Sequence, residues 1–186
     1  GYRGLETVEM VYDAHRVPAS AVLGGDEGVG KGLAAILSGL EVGRINIAAR
    51  AVGVARAAFE ASIKYAQQRH TFGQPIAAHQ AIAHKLADMG TQLQAARLLT
   101  EHAARLRAET GRAEVEAGMA KLFASEAALD IATEAMRIHG GVGYTTDLPL
   151  ERYFRDAPLM IIGEGTNEIQ RTVIARGLLK RYAIEE

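Results

Sequence analysis

Residues 29–68 read VGKGLAAILSGLEVGRINIAARAVGVARAAFEASIKYAQQ, a stretch without a proline. Stepping from Leu33 alternately by four and three gives Leu37, Leu40, Arg44, Ile47, Ala51, Val54 and Ala58, an apolar seam interrupted by one charge. Apolar residues recur in this way along one face of a helix with 3.6 residues per turn. The spacing predicts a single long helix over about Val29–Gln68.

The chain's four prolines stand at 18, 75, 149 and 158 and leave room for further uninterrupted helices. After Pro75 the same spacing collects Ile82, Leu86, Met89, Leu93 and Ala96 and predicts a second helix ending near Gly111. A third seam steps by seven through Val115, Leu122, Leu129 and Met136, flanked by Gly118, Ser125 and Ala132, and stops at Gly140-Gly141. A fourth, with Thr166 or Asn167 as N-cap, carries Ile169, Val173, Ile174 and Leu178. Long helices with short connections pack as antiparallel neighbours, so the expected fold is all-α: an up-and-down four-helix bundle over residues 29–186. Thr7-Val8-Glu9-Met10-Val11-Tyr12 reads as a short leading strand with nothing before it to pair with. Residues 1–28 are accordingly expected to be the end of a preceding domain and a linker.

Composition narrows the function. Across 186 residues, 48% hydrophobic and 23% charged, 21 Lys and Arg face 22 Asp and Glu, so the net charge of −1 gives no field for nucleic acid or an anionic membrane. Without cysteine there is no disulfide framework, thiolate metal site, iron–sulfur cluster or cysteine nucleophile. No apolar run approaches the roughly 20 residues of a membrane span, and no basic-then-apolar leader opens the chain. The expectation is a soluble intracellular protein, cytoplasmic, or of the mitochondrial matrix if the source is eukaryotic. The apolar length of the four helices points to a homo-oligomer.

Gly25 to Gly32 misses the phosphate-binding loop where it matters: Gly32 has no hydroxyl for magnesium, and Asp26 and Glu27 would face the phosphates. The six histidines show no metal-ligand spacing, and no G-x-S-x-G elbow exists. Better signals lie elsewhere. Arg44 is the seam's only charge and has Glu41 three residues before it. The two form either a buried ion pair or a cleft-facing pair that orients a ligand. Arg69-His70-Thr71-Phe72-Gly73 sets a cation beside a ring in a turn, where they could clamp a phosphate and an adenine. Arg137-Ile138-His139-Gly140-Gly141-Val142-Gly143-Tyr144 holds three glycines where a helix stop needs one, so the backbone must turn sharply and pass close to something. Gly163-Glu164-Gly165-Thr166-Asn167-Glu168 puts a carboxylate between glycines just before a helix N-terminus, after the apolar run Leu159 to Ile162. In apolar surroundings such a carboxylate has a raised pKa and can act as a base toward a weak carbon acid.

Together with Pro149-Leu150-Glu151-Arg152 and Arg155-Asp156-Ala157, these motifs match in order and spacing those of the acyl-CoA dehydrogenase family, which the chain resembles over nearly its whole length. The resemblance implies a C-terminal helical bundle following a helical domain and a β domain, so that residues 1–28 would carry the end of the β domain. It implies FAD as cofactor, acyl-CoA as substrate and an electron-transferring flavoprotein as electron acceptor, in a dimer or tetramer. By resemblance Glu164 is the base that removes the α-proton while the β-hydrogen leaves as hydride to the flavin, giving a 2-enoyl-CoA. Arg69, Thr71 and Phe72 resemble residues that reach the FAD of a neighbouring subunit, while Gln80 and Arg137, Ile138, His139, Gly140 and Gly141 resemble its adenosine-diphosphate contacts. Thr166, Asn167 and Glu168 resemble the other end of the FAD site, and Glu41, Arg44 and Gly165 the surroundings of the acyl-CoA. No metal site is implied.

Isovaleryl and long-chain members carry the base on the first helix just before the arginine; here that position is Gly43 and Glu164 is present. The pattern therefore resembles the short, medium or branched-chain types. Relatives that oxidise nitroalkanes have aspartate at the base position. An oxidase-like member and a non-catalytic helical oligomerisation module are the alternatives, and the isolated stretch is expected to be inactive by itself.

Overall fold

Small side chains define the contact face of the first helix. In a computed structural model describing residues 1–184, α1 (Gly32–Gln68) buries Ala48, Ala51, Ala55, Ala58, Ser62 and Ala66 in one stripe, with Glu41 and Arg44 at its N-terminal end. The spacing is the predicted one, but the stripe is lined almost wholly by alanine, which brings backbones close. Its partner is α3 (Glu114–His139), which presents Ala117, Ala120, Ala124, Ala128 and Ala135 and is covered on its other sides by α2 (Gln80–Thr110), α5 (Leu150–Ile162) and α6 (Asn167–Arg181). The core sits where Ile47, Met89, Leu93, Ile131, Leu150 and Met160 fill the space around that central helix.

The connections are tight. A two-residue antiparallel hairpin, β1 (His70–Thr71) with β2 (Gln74–Pro75), joins α1 to α2 with His70 opposite Pro75 and Thr71 opposite Gln74. Both central residues, Phe72 and Gly73, have positive φ, 52° and 79°, the type I′ geometry that matches strand twist. Gly111, at φ 74°, caps α2 and turns the chain into α3. One helical turn, α4 (Gly141–Tyr144), follows α3.

The all-α bundle is as expected from the sequence, with three differences. Among the described residues Thr7–Tyr12 forms no strand and pairs in no ladder; its side chains are exposed. α1 starts at Gly32 rather than Val29, since Gly30 has φ 78° and Lys31 is not helical. The fourth side of the bundle is shared by two helices, because the apolar run Leu159–Ile162 ends a helix of its own, α5, which the four-helix reading did not include. α5 tolerates Pro158 inside it and buries Leu150, Ala157 and Met160 on one face. α1 also has the length and apolarity of a membrane span over part of its course, against the reading that no run approaches that length, but Glu41 and Arg44 are buried along it.

Candidate active site

The residues of interest fall at two places along α1. At its C-terminal end, Arg69 follows the last helical residue and is exposed, Phe72 is 97% exposed at the hairpin tip, and exposed Gln80 opens α2. Thr71 Oγ1 lies 3.0 Å from His79 Nε2, and the Phe72 ring meets the His79 ring edge-on at 6.0 Å. The end of α3 packs alongside. Exposed Arg137 pairs with Glu134, which also pairs with Lys85 of α2. His139 stacks on Tyr65 with centroids 4.3 Å apart and bonds through Nδ1 to the Ala135 carbonyl at 2.8 Å; burial pushes its pKa below 6.5. Gly140, at φ 64°, and Gly141 are exposed on the turn. Ile138 and the His139 ring are buried, so of this stretch Arg137 and the glycine backbone face outward. Tyr144, adjoining them, is 81% exposed.

The other place is the turn between α5 and α6. Glu164 and Gly165 are consecutive left-handed residues, at φ 55° and 86°. Glutamate rarely adopts that backbone, and such residues concentrate where surrounding structure enforces them. The Glu164 carboxylate lies on Gly43 of α1, so close that a Cβ on Gly43 would stand 2.6 Å from its carboxyl carbon. A side chain at 43 would displace it from this position. Thr166 caps α6, its hydroxyl accepting from Ile169 N–H at 3.5 Å. In the first turn of α6 its own backbone N–H and the Thr166 hydroxyl hold the Glu168 carboxyl below its ordinary pKa. Asn167 points inward and is buried.

Glu41 and Arg44 do not pair with each other. Glu41 accepts from the Ala113 N–H at 2.6 Å and pairs with Arg107 at 3.3 Å and Arg112 at 3.7 Å, tying α1 to the α2–α3 connection. Arg44 is 8% exposed, its Nε has no partner, and among the described residues it forms no ion pair. Both line a cleft of about 240 Å³ with Leu37, Ser38 and Arg112. The two alternatives for the pair thus separate: Glu41 is held by the α2–α3 connection, and Arg44 is a buried cation without an ion-pair partner among the described residues, on the wall of the same cleft.

These geometries meet a known pattern. Residues 30–179 match the description "Acyl-CoA dehydrogenase, C-terminal domain". The chain belongs to the acyl-CoA dehydrogenase family. It is 49% identical over 179 residues to an acyl-CoA dehydrogenase of Bacillus subtilis, covering 96% of this chain and 46% of that one, and 46% identical over 182 residues to the mitochondrial short-chain specific acyl-CoA dehydrogenase of Rattus norvegicus, covering 98% and 43%. The structure of butyryl-CoA dehydrogenase from Megasphaera elsdenii superposes with a TM-score of 0.78 at 43% identity, over 83% of this chain and 40% of that one. The chain spans a little under half the length of the curated relatives it matches.

Within this acyl-CoA dehydrogenase domain, two buried residues escaped the sequence reading. Lys121 of α3 and Gln170 of α6 are both fully buried beside the Glu164 turn. Lys121 left a signal like that of Arg44, as the only charge in the apolar stretch Ala117 to Ser125. Gln170 left none, because its partners are backbone carbonyls.

Proposed function

We propose that this chain is the helical domain of an FAD-dependent acyl-CoA dehydrogenase in which Glu164 takes the α-proton of an acyl-CoA thioester. The observation that carries the reading is the seat of the Glu164 carboxylate: a left-handed turn sets it half-buried on Gly43 of α1, the residue next to the unpaired Arg44. A carboxylate so fixed can hold a proton at a defined point, and an unpaired buried guanidinium suits an anionic or carbonyl-bearing ligand. The similarity to a short-chain specific enzyme and to butyryl-CoA dehydrogenase supports a short acyl chain.

The residues present fit a dinucleotide held partly by another subunit. Arg69, Phe72 and Gln80 are all exposed, and Phe72 projects from a hairpin tip with its ring against the edge of His79. The 26 residue steps from Gly43 to Arg69, at the end of α1, span about 39 Å at 1.5 Å per residue. One copy of the chain therefore offers the base at one place and the ring and cation at another, which supports a homo-oligomer sharing its sites. When bound, FAD supplies the acceptor for the β-hydride. Glu164 receives the α-proton, Thr166 and Glu168 shape the turn beside it, and an electron-transferring flavoprotein is the acceptor from the reduced enzyme.

The test is anaerobic titration of the flavin-loaded whole protein that contains this domain with butyryl-CoA and with longer acyl-CoA thioesters. Bleaching of the flavin absorbance, strongest with the short chain, is expected; no bleaching with any chain length removes the enzyme reading.

A further inference from the structure

Glu164 stands in a turn that is gripped from inside the bundle. Lys121 Nζ donates to the Ile161 carbonyl at 2.7 Å and to Asn167 Oδ1 at 2.6 Å. Those acceptors lie three residues before and three residues after Glu164, one ending α5 and the other opening α6. Asn167 is itself held: its Nδ2 donates to Ser125 Oγ at 3.0 Å and to Glu126 Oε1 at 3.2 Å, while Ser125 Oγ lies 3.3 Å from its Oδ1. Gln170 closes the inner side, its Nε2 donating to the carbonyls of Glu164 at 3.1 Å and Gly165 at 3.3 Å, the two left-handed residues themselves. Gly118 makes room for it, since a Cβ there would meet Gln170 Oε1 at 3.3 Å.

Stability alone does not account for a lysine at 121. Its hydrogen-bond partners are neutral, and burial lowers its pKa to about 8 despite nearby Glu168 and Glu126. A buried cation with neutral acceptors pays a desolvation penalty that an apolar side chain of similar volume avoids. Its ammonium does one thing a methyl group cannot: it bonds both flanks of the turn at once.

We propose that Lys121, with Asn167 and Gln170, is a positioning cluster that fixes the Ile161–Gln170 turn and so holds the Glu164 carboxylate over Gly43. The inference rests on the reading of Glu164 as the base. Lys121 acts on the backbone that carries Glu164 and touches neither substrate nor flavin.

Lys121→Met in the flavin-loaded protein keeps the length of the side chain and deletes its donors. Flavin content and acyl-CoA affinity should stay within twofold of the unmodified protein, while flavin reduction by butyryl-CoA in anaerobic single turnover slows about tenfold to a hundredfold, as for a reacting group displaced by about an ångström. Hydrogen exchange of amides 161–170 should quicken at least tenfold, a readout independent of catalysis. On a Glu164→Gln background Lys121→Met should change the residual rate no further. Unaltered exchange across the turn, an unmodified reduction rate, or an equal slowing on both backgrounds overturns the proposal. If Lys121→Met does not accumulate, Gln170→Leu must give the same slowing and faster exchange, and a normal rate in that variant overturns the proposal equally. Full activity in Glu164→Gln alone would instead refute the base assignment, leaving the exchange experiment to judge the cluster.

Discussion

Gly43→Ala should make the helix more stable and the enzyme slower. In the interior of α1 alanine is favoured over glycine by about 0.5–1 kcal/mol, because the unfolded chain has less freedom to lose. The added Cβ stands 2.6 Å from the Glu164 carboxyl carbon and closer still to Oε2, whereas ordinary contact begins at 3.4 Å, so the carboxylate must retreat by about 1 Å. The backbone cannot follow freely, since Gln170 bonds both carbonyls of the turn. Misplacement of a reacting group by about 1 Å can cost up to about a hundredfold in rate, so a tenfold to hundredfold fall is expected in the flavin-loaded protein. Rapid anaerobic mixing with butyryl-CoA, followed at the flavin absorbance, reads that rate, and calorimetry reads the thermal midpoint, expected unchanged or raised by about 1–4 °C. A stable variant that reduces its flavin within twofold of the normal rate would refute the reasoning, because the contact with Gly43 would then have no bearing on where the carboxylate works.

Three other outcomes follow from the same geometry. Glu41→Ala should destabilise by about 1–3 kcal/mol by stranding the Ala113 N–H and two guanidinium groups, and double-mutant cycles in chemical denaturation should show coupling of Glu41 to Arg107 and none to Arg44. Phe72→Gly should leave the thermal midpoint unchanged or slightly higher, since the ring is 97% exposed and its φ of 52° suits glycine, while dialysis should remove flavin from the variant more readily; equal retention would count against a role in the cofactor site. Burial lowers the His139 pKa below 6.5, so the unfolded chain takes up a proton first on acidification. The stability tied to neutral His139 is thus fully present above about pH 6.5 and declines below it, and His139→Phe, which preserves the stack on Tyr65, should flatten the fall in thermal midpoint between pH 7 and 5.

The helices were legible where apolar spacing persisted, as in α2 and α6 and, around the single charge of Arg44, in α1, and the N-cap Thr166 was visible from the sequence. In α3 the reading followed the large residues Leu122, Leu129 and Met136, which are only half-buried, while the face pressed against α1 is alanine, too small to stand out as a seam. α5 was hidden by Pro158, although Leu150, Tyr153, Ala157 and Met160 keep helical spacing across it. At the site, motif order singled out Glu164, Arg69 and Phe72 as candidates. It could not show that Glu41 turns to Arg107 and Arg112 instead of Arg44, that Ile138, His139 and Asn167 point inward, or that Gly43 is the seat of the carboxylate. Those contacts join residues from 41 to 121 positions apart, which no local pattern encodes.

The central claim is that Glu164 is the proton acceptor, and Glu164→Gln in the flavin-loaded protein tests it most directly. Glutamine keeps the shape of the side chain and its backbone bonds to Gln170, but cannot take an α-proton at neutral pH. In anaerobic single turnover with butyryl-CoA, flavin reduction should fall by about 10²- to 10⁴-fold or more, while the flavin spectrum and the affinity for acyl-CoA stay near normal. Reduction at the unmodified rate would contradict the account and assign the proton to another group.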